Sequence, residues 1–282
     1  MLTVLQWSCI FAGALLLWWP GLRIASGALL ALGYGLGAAS GALGPQAALA
    51  ILLLGGAAYL VLAGRAVLHP AVPHAIVLAL AAALSLHLFP GFYNLPVIGP
   101  ERVTPDAIPF RMYLNLDKPL ILIWLLLVYP RQILSRRPLP VSLGVGLAAG
   151  GAAVIVCLGA ALSLHLVSWA PKWPQWGWLW TMNNLLLVAP AEEALFRGYI
   201  QAGIAGFLAG TSHGGWAAVA AAAALFGAAH FAGGWELMLL AGVAGIGYGV
   251  AYRYGGLLAA VAAHLGLNLA HFALFTYPML AR

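Results

Sequence analysis

Ten stretches of the chain hold almost nothing but apolar residues, with short polar or Pro/Gly-rich breaks between them. They are 2–18, 25–42, 46–64, 74–89, 118–129, 141–166, 177–203, 216–232, 236–252 and 257–276. A helix that crosses the hydrocarbon core needs about 20 mostly apolar residues. The pattern therefore predicts an all-α, polytopic transmembrane helix bundle of about 8–10 spans. Stretch 118–129 is short and bounded by Pro119 and Pro130, which predicts a helix that extends backwards, tilts or inserts only in part. Residues 90–117 are Pro-rich and polar and too long for a turn. They read as an outward-facing loop, and 209–215 as a flexible link. No solenoid-type repeat is present.

Composition sharpens the class. Hydrophobic residues make up 64% and charged residues 6%, against about 25% charged in soluble domains. The expectation is an integral, multi-pass membrane protein whose partner is the lipid bilayer. With outward loops and no organelle signal, a prokaryotic plasma membrane is the expected location. The first 20 residues lack a basic n-region and an A-x-A site, so they read as a first span rather than a cleaved signal peptide. The net charge of +6 arises from 12 Lys/Arg against 6 Asp/Glu and fits cytoplasmic loops that face anionic lipid. Placing Arg131, Arg136 and Arg137 inside also places Arg23, Arg65 and Arg253 there, with both termini outside. Arg102, Arg111, Lys118, Lys172 and Arg282 then fall on the outer side. No basic run is dense enough to track phosphates, so no nucleic-acid partner is expected. The two cysteines, Cys9 and Cys157, sit in apolar runs without CxxC or Cys/His pairing and read as packing residues. The five tryptophans within 168–180 read as an interfacial belt or, as the alternative, a substrate-gripping surface. The 35 glycines suit close helix–helix approach.

Against this background the run Ala191-Glu192-Glu193-Ala194-Leu195-Phe196-Arg197 stands out. An ionisable group in hydrocarbon costs at least about 2.5–3.5 kcal/mol on insertion scales, and is a functional-site hypothesis by default. On a helix Glu193 and Arg197 share a face and can pair, whereas Glu192 is rotated by about 100°. This division predicts an ion pair that fixes the helix and a Glu192 that faces a polar cavity, available for acid–base work. In the next stretch Phe226 and His230 are four apart, so ring and imidazole can pack together. In the last, His264 and Asn268 share a face. Two convergent donors there suit a developing oxyanion, although the pair taken alone reads equally as a structural polar stripe.

The three features in order, Glu192-Glu193-x-x-x-Arg197, Phe226-x-x-x-His230 and His264-x-x-x-Asn268, resemble the CAAX-protease and bacteriocin-processing family of intramembrane glutamic proteases. The resemblance covers about the last hundred residues and divides the chain into a poorly diagnostic N-terminal region, 1–170, and a catalytic core, 171–282. It implies an intramembrane endopeptidase in which Glu192 activates water, assisted by His230. His264 and Asn268 stabilise the oxyanion, and Glu193 and Arg197 support the site. The implied partner is a membrane-associated protein or peptide, and no cofactor is implied. Zinc is the mechanistic alternative, though the H-E-x-x-H spacing is absent. Ser212 lies on a loop with no acidic orienter, so no covalent nucleophile is evident. Asn115-Leu116-Asp117-Lys118-Pro119 also resembles bacterial members, with no role attached.

Two readings of another class compete. A non-catalytic scaffold or immunity-type protein of the same fold has no need of an unpaired Glu192. A proton-coupled transporter usually spreads its polar groups over two repeated halves, whereas here they are confined to the C-terminal third. Glu236 reads as interfacial, His271 as second to His264 or as helix packing, and Asn183 and Asn184 as lining the cavity or bonding a neighbouring helix. His87 and His165 fall near span ends.

Overall fold

A computed structural model describes residues 1–63, 71–129, 133–134 and 137–281. Arg65, Arg131, Arg136 and Arg282, on which the expected orientation rests, lie outside the described residues. Among the described residues each of the ten apolar stretches contains a helix, and the fold is mostly α. The helices are α1 (Leu2–Leu16), α2 (Arg23–Ala39), α3 (Ala47–Ala63), α4 (Ala71–Ser85) and α5 (Pro119–Val128). They continue with α6 (Leu139–Ser163), α7 (177–207), α8 (Gly214–Ala228), α9 (235–255) and α10 (257–274). Among the described residues three apolar helical runs are long enough to cross a membrane: Pro20–Ala39, Leu139–Ser163 and Trp235–Leu274. Shorter apolar helices of 10–17 residues accompany them. With the composition, they make the chain an integral membrane protein.

Residues 90–117 differ from the expected loop. They contain two strands, β1 (Leu95–Glu101) and β2 (Phe110–Leu114), which pair as a two-stranded sheet. The alternation that marks a strand is broken here by Pro96, Pro100 and Gly99, which hid the signal.

The chain divides into two compact units. The first comprises Met1–Pro96, Tyr113–Pro130 and Leu186–Ala191. Within it α1 and α2 lie antiparallel, with Gly13 against Leu30 and Gly33 against Ile10, and Ser26 Oγ donates to Gly13 O at 2.7 Å. Asp117, 1% exposed, ties three segments together. It takes His87 Nδ1 at 2.6 Å, Asn94 Nδ2 at 3.4 Å and the Lys118 N–H at 2.9 Å. The Asn115–Pro119 stretch thus has a structural role, as its buried carboxylate gathers donors at the start of α5.

The second unit comprises Val97–Met112, Arg131–Leu185 and Glu192–Arg282. Its centre is a turn at Gly256, where φ is 77° and ψ −170°. A side chain is excluded from that region of backbone space, so α9 and α10 are two helices, as the two apolar stretches predicted. Contacts with α6 show their directions. Ser142 Oγ donates to Gly255 O at 2.7 Å, Gly146 lies on Ala259 and Gly150 on Ala263, so α6 and α10 run parallel. Gly247 lies on Ala153 and Cys157 Sγ approaches Leu240 O at 3.6 Å, so α6 and α9 run antiparallel. α9 and α10 therefore form a hairpin with almost no loop. Small residues permit this: a Cβ on Gly146 would meet Ala259 O and Ala262 Cβ at 2.8 Å, the close approach that membrane helix pairs use. Gly256→Ala should lower stability by about 1–3 kcal/mol through backbone strain alone. The unfolding midpoint in detergent checks this, and an unchanged midpoint refutes it.

The C-terminal strap after α10 is stitched into the same unit. Trp169 bridges Phe275 and Ala107 bridges Leu280. Thr276 Oγ1 donates to Asp106 Oδ2 at 3.1 Å, and Lys172 Nζ donates to Phe275 O. Burial pushes Lys172 down to about 8. Of the five tryptophans, Trp169, Trp173 and Trp178 are exposed as a belt requires, whereas Trp180 is buried and stacks on Phe272 with centroids 4.1 Å apart.

Candidate functional site

α7 is not a regular helix. Wide π turns occupy Asn184–Val188 and Ala194–Gln201, either side of the short α-helical segment Ala189–Glu193. Such turns gather at functional sites. The expected pair survives this irregularity: Glu193 Oε2 lies 3.1 Å from Arg197 Nε, and both side chains are 0% exposed. The N–H is not aimed along that line, so the contact is ionic, and Arg197 Nε and Nη1 make no hydrogen bond among the described residues. Other groups hold the guanidinium. Nη2 donates to Gly245 O on α9 at 3.2 Å, and the rings of Phe226, Tyr248 and Phe196 lie 4.5, 5.4 and 5.8 Å from Cζ. Aromatic faces attract a desolvated cation, which offsets part of its burial.

Glu193 does more than pair with Arg197. Its Oε1 accepts from His264 Nδ1 at 2.8 Å. A carboxylate only accepts, so Nδ1 carries the hydrogen and Nε2 is directed elsewhere. Glu192 Oε2 is 3.9 Å from that Nε2, with Glu192 30% exposed. The imidazole is clamped from the side as well. Tyr248 stacks on it at 4.6 Å and 10°, and Phe226 meets it edge-on at 5.8 Å. Tyr248 and His264 each sit eight residues from Gly256, on opposite arms of the hairpin. Sequence reading missed Tyr248. The signal that finds it is this symmetry about the turn, legible only once the turn is known.

His230, at the C-terminal end of α8, packs against Phe226 with centroids 4.7 Å apart, and its Nδ1 faces Phe226 O at 2.8 Å. A carbonyl can only accept, so Nδ1 holds the hydrogen, and in the neutral ring Nε2 keeps a lone pair. Asn268 Nδ2 donates to Asn184 Oδ1 at 3.2 Å, so Asn184 bonds a neighbouring helix. Asn183 instead approaches Met112 Sδ at 3.8 Å.

His230, His264 and Asn268 line one cavity of about 210 Å³, its remaining wall mostly apolar and drawn from α6, α9 and α10, with Phe226 of α8, Leu166, Val167 and Gly233 of the connecting segments, and Pro278 and Met279 of the C-terminal strap. Glu236 and His271 line it too, so Glu236 is a cavity residue and not only an interfacial one. Glu192 does not line it and reaches the group through His264 Nε2. Thus three of the four residues read as catalytic share a cavity wall, and the fourth touches it from the side. Among the described residues no three His, Cys, Asp or Glu side chains converge as metal ligands.

An integral membrane bundle that buries a Glu–Arg pair, clamps an imidazole with it and aims two histidines and an asparagine into a small cavity has the parts of an acid–base site in a membrane. Residues 174–270 match the family model described as type II CAAX prenyl endopeptidase Rce1-like. The match bears out the family resemblance of the three motifs, all of which it contains, and it points to a membrane protease. No curated protein and no solved structure matches the chain.

Proposed function

We propose that the chain is an intramembrane endopeptidase that hydrolyses a peptide bond of a membrane-associated protein or peptide with an activated water. One observation carries this reading: His230, His264 and Asn268 line a single cavity and Glu192 approaches it at His264. In this scheme water sits between Glu192 and His230 Nε2. Its oxygen attacks the carbonyl carbon while Glu192 takes the proton. The tetrahedral oxyanion is held by donors in a low-dielectric site, where such hydrogen bonds are strong. Asn268 has a second amide N–H to give, beyond the one that Asn184 accepts. His264 donates only with hydrogen on both ring nitrogens, since its Nδ1 hydrogen is already given to Glu193. The C–N bond then breaks and the proton on Glu192 passes to the leaving nitrogen.

The family's description names a prenylated substrate, and the mostly apolar wall of the cavity suits a substrate that arrives from lipid. A prenylated C-terminal peptide is accordingly the first probe and a transmembrane-anchored peptide the second. The test uses purified protein in lipid nanodiscs. Wild type should cleave one of the two, and His230→Ala should lose about 10²- to 10⁴-fold in kcat, the usual weight of general acid–base catalysis. A strong chelator should leave the rate unchanged. Cleavage abolished by the chelator and restored by zinc overturns the metal-free mechanism. Cleavage of neither probe overturns the endopeptidase reading and favours a non-catalytic protein of the same fold.

A further inference from the structure

We infer that Asn184 is a positioning residue, which fixes which way round the Asn268 amide is presented to the cavity; this rests on the reading of Asn268 as an oxyanion donor. A side-chain amide has a donor end and an acceptor end of nearly equal size. An asparagine free to turn over would present a carbonyl oxygen to the oxyanion half of the time, which repels it. The orientation must therefore be set by a neighbour that can only accept or only donate.

The structure supplies such a chain of constraints. Asn184 Nδ2 donates to the carbonyl oxygen of Trp180 at 3.0 Å, one turn back on α7. A carbonyl has no hydrogen to give, so the nitrogen end of Asn184 is fixed on that side. The same carbonyl accepts the backbone N–H of Asn184, within the capacity of its two lone pairs. Asn184 Oδ1 is thereby turned toward α10, where Asn268 Nδ2 donates to it at 3.2 Å. An acceptor at that point obliges Asn268 to offer nitrogen there. One of its two N–H bonds is used and the other is held in the same amide plane.

Burial and backbone support the same role. Asn184 is 7% exposed and does not line the cavity, whereas Asn268 does. Asn184 opens the π turn Asn184–Val188, a departure from regular helix of the kind found at functional sites. The competing explanation is a plain interhelical hydrogen bond, which in membranes contributes about 0.6 kcal/mol on average. Such a bond would affect stability without acting through Asn268.

Kinetics separate the two. The full-length protein in nanodiscs is assayed with a quenched fluorogenic farnesyl peptide ending in Cys-aliphatic-aliphatic-any residue. The variants are Asn268→Ala, Asn184→Ala, Asn184→Leu as a volume-preserving control, and Asn184→Ala/Asn268→Ala. Asn268→Ala should lower kcat about 10²- to 10³-fold, as removal of an oxyanion donor does. Both Asn184 variants should lower kcat about 10- to 100-fold, the cost of a misplaced group. Their KM should stay within about twofold, the signature of an interaction made only in the transition state. The double variant should be no slower than Asn268→Ala, because two residues that act as one unit are not additive. Unchanged kcat in the Asn184 variants, or losses that multiply in the double variant, overturns the inference and leaves the oxyanion reading intact. Unchanged kcat in Asn268→Ala overturns the oxyanion reading itself. A wild type inert toward this peptide and toward the transmembrane-anchored one overturns the protease reading and the inference with it.

Discussion

A Glu192→Gln variant is expected to fold like the wild type and to lose about 10²- to 10⁴-fold in kcat, the range for removal of a general base. The substitution keeps the shape of the side chain and removes only its capacity to take a proton. Glu192 is 30% exposed and the His264 Nε2 beside it lies at 3.9 Å, beyond hydrogen-bond length. Little stability is tied up in it, and the unfolding midpoint should hold within about 0.5 kcal/mol of wild type, as for most partly exposed sites. Single-turnover assays on a prenylated peptide, with the midpoint measured on the same preparation, check both halves. Retention of kcat within a few fold would remove Glu192 from the reaction and shift the role of base to His230.

Loss of Glu193 should have the opposite signature. Glu193→Ala strands Arg197, which is 0% exposed and whose carboxylate partner is Glu193, and it frees His264 Nδ1. Removing one member of a buried ion pair costs about 3–5 kcal/mol, so folded yield and midpoint should fall together with activity. Two further variants keep the test decisive if Glu193→Ala does not fold. Glu193→Gln retains an oxygen for His264 and should keep more activity than stability. Glu193→Ala with Arg197→Met removes both charges and should recover much of the stability, yet stay slow, because the imidazole is no longer oriented. Normal yield with only turnover lost would refute the structural role of the pair.

The pairing of Glu193 with Arg197 was legible in the sequence, whereas Glu192 does not face a polar cavity as expected but lies beside His264, outside a mostly apolar one. The i to i+4 spacing of Glu193 and Arg197 and the periodicity of Phe226 with His230 are local, so they survive the irregular turns of α7. The ten helices were legible for the same reason, since apolar length is a local property. What stayed hidden depends on partners distant in sequence. Glu193 reaches His264, 71 residues on, and Asn184 reaches Asn268, 84 residues on. No spacing rule announces either. Tyr248 was hidden behind an ordinary apolar helix, and the strand β1 behind its prolines. That Glu236 also lines the cavity was hidden, because a span boundary describes depth along one helix and says nothing of which cavity the boundary faces.

The turn at Gly256 has a consequence for how this part of the chain tolerates change in length. Connections between helices usually accept insertions and deletions, since slack in a loop absorbs them. Here the turn has almost no slack, and the site is laid out in mirror order around it, Tyr248 facing His264 and Ala241 sharing a cavity with His271. One residue added or removed at the turn rotates α10 by about 100° relative to α9. That would carry His264 and Asn268 away from the cavity together, with every residue of both helices unchanged. A residue inserted into or deleted from the segment 255–257 should therefore disable the site as fully as a substitution at His264 or Asn268.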